Sequence, residues 1–239
     1  MRKPGRSLPA ANATRSRRAA WSDRSDGSPG KTFTVTCSGV SAPRVARVAH
    51  STRAALGVLT PVHVTVKLLP GLPSLRSLHA ARRLRVAFAA GCERPGFRIV
   101  HFAVLTNHVH FLAEADGATS LARGMQGLMV RMARRLNAAM FRRGRVFADR
   151  YHARALTSTL DVWRTIQYVL GNARRHGIAF PGPFDPYSTA QWFTGWRDHA
   201  PPSRPSPVAS PRSWQLQHGW WPHGRPDPSR APFAWARES

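Results

Sequence analysis

The sequence predicts an α+β fold, a ferredoxin-like βαββαβ antiparallel sheet followed by one further helix. Strand-like and helix-like stretches succeed one another between residues 56 and 178 in the order strand, helix, strand, strand, helix, strand, helix. The long helical stretches are amphipathic, as expected of helices that pack on one face of a sheet. We expect the other face of the sheet to be free for function.

The first strand and helix are predicted from periodicity. Residues 61–69 alternate β-branched residues with polar ones, which is typical of a strand with one buried face. Residues 72–91 have the period of a helix that ends at Gly91. The apolar residues near one face of this helix are Leu75, Leu78, Leu84 and Phe88.

The remaining elements follow the same reasoning. Residues 97–105 and 108–115 are apolar strands around Thr106-Asn107, a turn-prone pair that predicts an antiparallel hairpin. An amphipathic helix over residues 118–144 follows, and residues 144–157 suit a strand or a bent strand. Ser158 to Asp161 resembles a capping box that begins a last helix, which we expect to run to about Arg175.

Composition divides the chain into three parts. Residues 1–55 are rich in Arg, Ser, Gly and Ala without a sustained period, and we expect a disordered basic extension. Residues 56–197 form the predicted domain. Residues 198–239 are rich in proline, which removes backbone donors, so we expect a disordered tail without packed structure.

The charge predicts a polyanionic partner. The chain contains 36 Lys and Arg against 11 Asp and Glu, a formal net charge of +25, and nearly all of the positive charge is arginine. Such a surplus favours nucleic-acid binding, although an arginine-rich coding bias is the alternative. With Cys37 and Cys92 forming no CxxC motif and no apolar run of membrane-spanning length, we expect a cytoplasmic protein with no membrane partner.

Two short patterns suggest chemistry. His108 and His110 are two residues apart in a predicted strand, so both imidazoles project from one face and can reach one metal ion. Tyr168 and Asn172 are four residues apart on the last helix and share a face, which suits a phenol nucleophile beside an amide ligand. Taken alone, each pattern also fits ordinary surface and half-buried residues.

The order and spacing of these patterns resemble the single-tyrosine HUH transposases. The phrase TNHVHFLAEA is similar to their HUH motif, and QYVLGNARRHG is similar to their tyrosine helix. The segment GRVFADRYHARALT between them and DPYSTAQWFTGW after them are also similar to family segments, so the resemblance spans about residues 60–196. This family includes the REP-associated tyrosine transposases and the insertion-sequence transposases with an IS200-like domain.

The resemblance implies a metal-dependent DNA transposase. His108, His110 and Asn172 would hold Mg²⁺ or Mn²⁺, and Tyr168 would attack the scissile phosphate of single-stranded, hairpin-associated DNA to give a 5′-phosphotyrosine. Relatives act as monomers or as homodimers, and both states stay open. The candidates for binding DNA phosphates are Arg134, Arg135, Arg142, Arg143, Arg174 and Arg175.

Two other functions remain as alternatives. A catalytically inactive or domesticated relative would bind single-stranded or hairpin nucleic acid without cutting it. A zinc hydrolase using His63, His108 and His110 is the weakest alternative, because no HExxH glutamate accompanies them. We expect His63 and His101 to be satisfied histidines of the core or the sheet surface, and Tyr151 to be a packing or DNA-contact residue.

Overall fold

A five-stranded antiparallel sheet forms the centre of the structure, and the predicted α+β class is confirmed. The computed structural model describes residues 56–232. The strands are β1 (Thr60–Lys67), β2 (Glu93–Arg94), β3 (Phe97–Val104), β4 (His108–Ala115) and β5 (His152–Ala155). The helices are α1 (Leu78–Ala89), α2 (Gly117–Ala139), α3 (Thr159–Leu170) and α4 (Asn172–Arg175). The strands lie in the order β2-β3-β4-β1-β5, so β4 and β1 occupy the middle of the sheet.

Helices α1 and α2 pack against each other and cover one face of the sheet. The alternation of β1 supplies Val62, Val64 and Val66 to this core, each with no exposed surface. Helix α2 approaches β3 closely at Gly124, where an added Cβ would lie 2.2 Å from Phe97 Cγ. Within residues 56–232, no helix has the length and apolar character needed to cross a membrane.

Helix α1 is shorter than the sequence predicts. It begins at Leu78 because the Ser77 side chain accepts a hydrogen bond from the Ala80 backbone N–H, which caps the helix. Leu75 therefore lies before the helix, where it is fully buried, whereas Leu78 is 61% exposed instead of lying on the apolar face. The predicted strand over residues 144–157 is also shorter, since only His152–Ala155 pairs with β1.

The second face of the sheet is not free, contrary to the prediction. Helix α3 packs on β3 and β4 there. Val162, Ile166 and Val169 are buried in a second core together with Leu112 of β4. The part of this face over β3 and β4 is therefore occupied by the helix that carries Tyr168.

The last predicted helix is interrupted. Helix α3 ends at Leu170, and α4 begins at Asn172 after Gly171. An added Cβ at Gly171 would lie 2.9 Å from the Gln167 carbonyl oxygen and 3.0 Å from Pro232, so the close approach of Pro232 requires glycine. Tyr168 and Asn172 consequently lie on two successive helices rather than on one helical face.

The C-terminal segment, residues 198–232, is packed, so the prediction of an unpacked tail is wrong for these residues. Leu216 and Trp220 are buried against α3 and β3. The Glu114 carboxylate at the end of β4 accepts hydrogen bonds from the backbone N–H groups of Arg212 and Ser213. Buried side chains and hydrogen bonds to Glu114 therefore order a segment whose sequence has no helix or strand periodicity. Residues 1–55 and 233–239, for which an extension and the tail end are predicted, lie outside the described residues.

Candidate active site

The two histidines of β4 project from the sheet face opposite α1 and α2. Val109 between them is fully buried in the core, and the period of two in a strand turns His108 and His110 to the other side. Their ring centroids are 4.8 Å apart. This is the separation that lets two imidazoles approach one ion.

Hydrogen bonds orient both rings. His108 Nδ1 donates to Asn107 Oδ1 at 2.8 Å, which leaves the lone pair on its Nε2. His110 Nδ1 lies 3.1 Å from both Thr65 Oγ1 and His63 Nε2. His110 Nε2 is buried and has no hydrogen-bond partner in the part of the chain that the structure describes. Such an orphaned nitrogen atom is suited to a metal ligand.

Both imidazoles are neutral at pH 7. Burial, with smaller contributions from His176 and Lys67, lowers the pKa of His108 to about 4. Burial also holds the pKa of His110 well below its usual value, and the neighbouring histidines lower it further. A neutral imidazole presents the lone pair that a metal ion requires, so protonation does not compete with binding near neutrality.

His63 lies beside this pair, whereas the sequence favoured a satisfied histidine there and gave it a functional role only in the zinc-hydrolase alternative. Its ring stacks on that of His110 with centroids 5.2 Å apart. Burial and the charges of Arg154 and His152 lower its pKa to about 3. The signal was present in the alternation of β1, which turns His63, Thr65 and Lys67 to one face, but using it requires the pairing of β1 with β4. His101, in contrast, is a buried histidine whose Nδ1 lies 3.1 Å from Thr189 Oγ1.

Tyr168 of α3 meets the histidines of its own chain. The centroid of its ring is 5.2 Å from that of His110 and 5.6 Å from that of His63. The guanidinium carbon of Arg175, on α4, lies 5.4 Å from the Tyr168 ring centroid. A phenol, three imidazoles and a guanidinium therefore converge within one protomer.

These side chains line a pocket of about 570 Å³. Its other lining residues include Lys67 of β1, Arg150 and Arg154. Asp149 is the single carboxylate among the described residues that line it. The pocket is therefore positively charged, and it suits a phosphate group. Arg150 and Arg154 were not among the arginines that the sequence suggested, because neither lies on a helix face with other arginines.

The structure does not bring Asn172 to the wall of this pocket. Its side chain is fully buried, and neither its amide oxygen nor its amide nitrogen has a hydrogen-bond partner among residues 56–232. Burying an amide without partners costs free energy. Asn172 thus has an unused oxygen atom close in sequence to the pocket residues Arg175 and His176.

Of the six predicted phosphate-binding arginines, Arg175 lines the pocket. Arg174 instead donates to the carbonyl oxygens of Pro228 and Pro183, so it holds the C-terminal segment. Arg142 donates to Asn137 Oδ1 and to the Arg145 carbonyl oxygen at the end of α2. The other three lie away from the pocket: Arg134 and Arg135 on α2, and the exposed Arg143 after it.

The donor set fits an ion that two imidazoles bind and that completes its shell with oxygen. In the described part of the chain, no group of three or more His, Cys, Asp or Glu side chains is arranged to hold a metal ion. His63 directs Nε2 at His110 instead of at a common point, which disfavours the three-histidine zinc site. His108 and His110 remain as the metal-binding candidates, and oxygen ligands suit Mg²⁺ or Mn²⁺.

Two comparisons with known proteins give little further information. None of the curated proteins matches the chain. A solved structure of a REP-associated tyrosine transposase bound to a REP hairpin is similar to it, with a TM-score of 0.48 and 20% sequence identity. The similarity covers 59% of this chain and 82% of that chain.

A third comparison finds a match to a protein-family model. Residues 75–171 match the family model described as "Transposase IS200 like". The matched stretch includes His108, His110 and Tyr168, and it ends one residue before Asn172. Over residues 75–171, this chain is therefore similar to the IS200-like transposases.

Proposed function

We propose that this chain cuts and rejoins single-stranded, hairpin-associated DNA through Tyr168, as the enzyme of a DNA transposition reaction. The proposal rests chiefly on one observation, the 5.2 Å between the ring centroids of Tyr168 and His110 in a positively charged pocket. The family match supports the same reaction class. Because a DNA substrate and a reducing environment suit the composition, we propose a cytoplasmic enzyme.

His108 and His110 would hold a Mg²⁺ or Mn²⁺ ion through their Nε2 atoms, and we propose the buried Asn172 oxygen as a third ligand. When bound, such an ion polarises a non-bridging oxygen of the scissile phosphate. His63 and Thr65 contact His110 Nδ1 and keep its Nε2 directed away from them. In this proposal, His63 and Thr65 orient His110 as a metal ligand and do not act on the DNA directly.

Tyr168 supplies the nucleophile. Its phenolic oxygen forms a bond to phosphorus, the bond from phosphorus to the 3′-oxygen breaks, and that oxygen leaves with the bonding electrons and takes up a proton. The phenol loses its own proton to solvent. The products are a 5′-phosphotyrosine and a 3′-hydroxyl, and a 3′-hydroxyl on a new strand reverses the step without a nucleotide cofactor.

Positive side chains stabilise the phosphate during transfer. Arg175 lies over the Tyr168 ring and lines the pocket, so it can contact the phosphate that Tyr168 attacks. Arg150 and Arg154 line the same pocket. Negative charge that develops on the transferring group is stabilised by such fixed cations. Since one chain contains the whole set, the proposal does not require a homodimer.

Covalent trapping tests the proposal. The full chain is incubated with a 5′- or 3′-labelled single-stranded hairpin and Mn²⁺, and the products are separated under denaturing conditions. We expect a covalent protein–DNA adduct that carries the label on the 3′ side of the cut. Tyr168→Phe should abolish it, whereas Tyr151→Phe, a buried tyrosine outside the pocket, should retain it. Binding without any adduct across a panel of hairpins would instead identify a nucleic-acid-binding protein that does not cut.

A further inference from the structure

A second cleft lies on the same face of the sheet as the histidine pocket and shares no lining residue with it. The cleft has a volume of about 640 Å³, and its floor is formed by Val100 and His101 of β3. The histidine pocket lies instead over β1, β4 and β5. Helix α3 packs on β3 and β4 and is related to both cavities. It contributes Tyr168 to the histidine pocket, and it packs against Leu216 and Trp220, which line the cleft.

Aromatic side chains dominate the walls of this cleft. Trp192 and Phe193 come from one side, and Trp220 and Trp221 come from the C-terminal segment. Trp220 is buried, but Trp221 is 58% exposed, so one indole offers a large apolar surface to solvent. An exposed indole beside a cleft is a typical stacking surface for a planar ligand.

The charge of the cleft selects the class of ligand. Arg225 is among its lining residues, whereas none of the described residues that line it is Asp or Glu. The guanidinium of Arg204 lies 5.0 Å from the Trp192 ring centroid, next to the same wall. A planar ligand that carries negative charge meets both requirements, and an unpaired nucleotide is such a ligand.

We propose that this cleft binds unpaired deoxynucleotides of the DNA substrate, with bases stacked on Trp221 and Trp192 and a phosphate at Arg225. The inference rests on the proposed function, because it assumes a substrate with a single-stranded segment. The cleft would hold DNA outside the reacting site and thereby fix which phosphate reaches Tyr168. Stacking tolerates every base, so the expected recognition is of single-strandedness and not of sequence.

Fluorescence anisotropy with the full chain tests the cleft. The probes are two labelled DNA hairpins, one with an eight-nucleotide single-stranded flank and one without a flank. We expect Trp221→Ala to weaken binding of the flanked hairpin about 5- to 150-fold, the range for loss of one stacked base, and to leave the flankless hairpin unchanged. Arg225→Gln should weaken the flanked hairpin as well and reduce the dependence of binding on salt.

Trp214→Ala is the matched control. Trp214 is 61% exposed, close to the 58% of Trp221, and it does not line the cleft. We expect it to change the affinity for either hairpin less than twofold. Equal losses in the Trp214 and Trp221 variants, or no loss in either, would overturn the proposal, and so would tighter binding of an RNA of the same sequence.

Covalent trapping in the same samples separates this inference from the proposed function. If the wild-type chain forms no adduct but the difference between the Trp221 and Trp214 variants persists, the transferase proposal fails and the nucleotide cleft stands. If the adduct forms and the two tryptophan variants bind alike, the cleft proposal alone fails.

Discussion

Replacing Glu114 by Gln tests how the C-terminal segment is attached to the sheet. The Glu114 side chain has no exposed surface, and one of its oxygens accepts hydrogen bonds of 2.7 Å from both the backbone N–H and the hydroxyl of Ser213. The Arg212 backbone N–H lies 3.0 Å from each oxygen, and Arg98 Nε lies 3.5 Å from Oε2. One carboxylate thus joins the end of β4 to the segment almost 100 residues later.

The cost of the substitution follows from these contacts. Removing one partner of a buried ion pair costs about 3–5 kcal/mol, because the other charge remains buried. Arg98 retains a second carboxylate, Glu93, at 3.0 Å, so we expect the lower end, about 3 kcal/mol. A domain of this size loses about 2–4 °C per kcal/mol, so Glu114→Gln should lower Tm by about 6–12 °C.

Glu93→Gln is the control, since Glu93 pairs with the same Arg98 but its side chain is 47% exposed. Exposed pairs contribute about 0–1 kcal/mol, so we expect this variant to lose at most a few degrees. Thermal unfolding followed by circular dichroism gives both values, and limited proteolysis shows whether residues 198–232 become cleavable first. Equal Tm values for the two variants would refute the assignment of Glu114 as the main attachment point.

Two further predictions concern histidines. His63→Ala should weaken Mn²⁺ binding, measured by titration calorimetry, about 10- to 100-fold, because His110 loses a contact that orients its ring. The control is His79→Ala, at an exposed histidine on α1, which should leave Mn²⁺ affinity unchanged. Equal affinities in the wild type and both variants would contradict the role of His63 in orienting His110. His101 has a folded pKa of about 4 against 6.5 unfolded, so the unfolded chain binds the proton first and stability falls as the pH drops from about 6.5 towards 4. In urea unfolding, His101→Gln should reduce the loss of stability between pH 7 and pH 5 by about 2 kcal/mol, and an unchanged loss would exclude His101 as the cause.

Local patterns were sufficient for the strands β1, β3 and β4 and for half of the site. The alternation in β1 and β4 depends only on neighbouring residues, so the buried valines and the common face of His108 and His110 could be predicted. The break after Leu170 could not, because Gly171 in isolation is tolerated within a helix. The requirement for glycine at position 171 comes from Pro232, which packs against it although it lies about 60 residues later in the chain.

Long-range pairing decided the features that the sequence did not reveal. His63 contacts His110 only because β1 and β4 pair in the register that places Thr65 opposite His110. The C-terminal segment has no period of its own, since prolines interrupt it, and it is ordered through contacts with Glu114 and α3 instead. Composition indicates whether a segment can form ordered structure by itself, but it does not predict the contacts that the segment makes with distant parts of the chain.

Strand β4 connects the histidine pair, the helix that carries Tyr168 and the C-terminal segment. Its alternate residues His108, His110, Leu112 and Glu114 lie on one face, about 7 Å apart from one to the next in the strand direction. The first two are the proposed metal ligands, Leu112 packs against the helix that carries Tyr168, and Glu114 holds the segment that lies against the same helix. Because a rigid strand carries all four, the position of the phenol relative to the two imidazoles is set by packing at Leu112 and Glu114. A substitution at Glu114 should therefore alter the placement of Tyr168 without any contact between the two side chains.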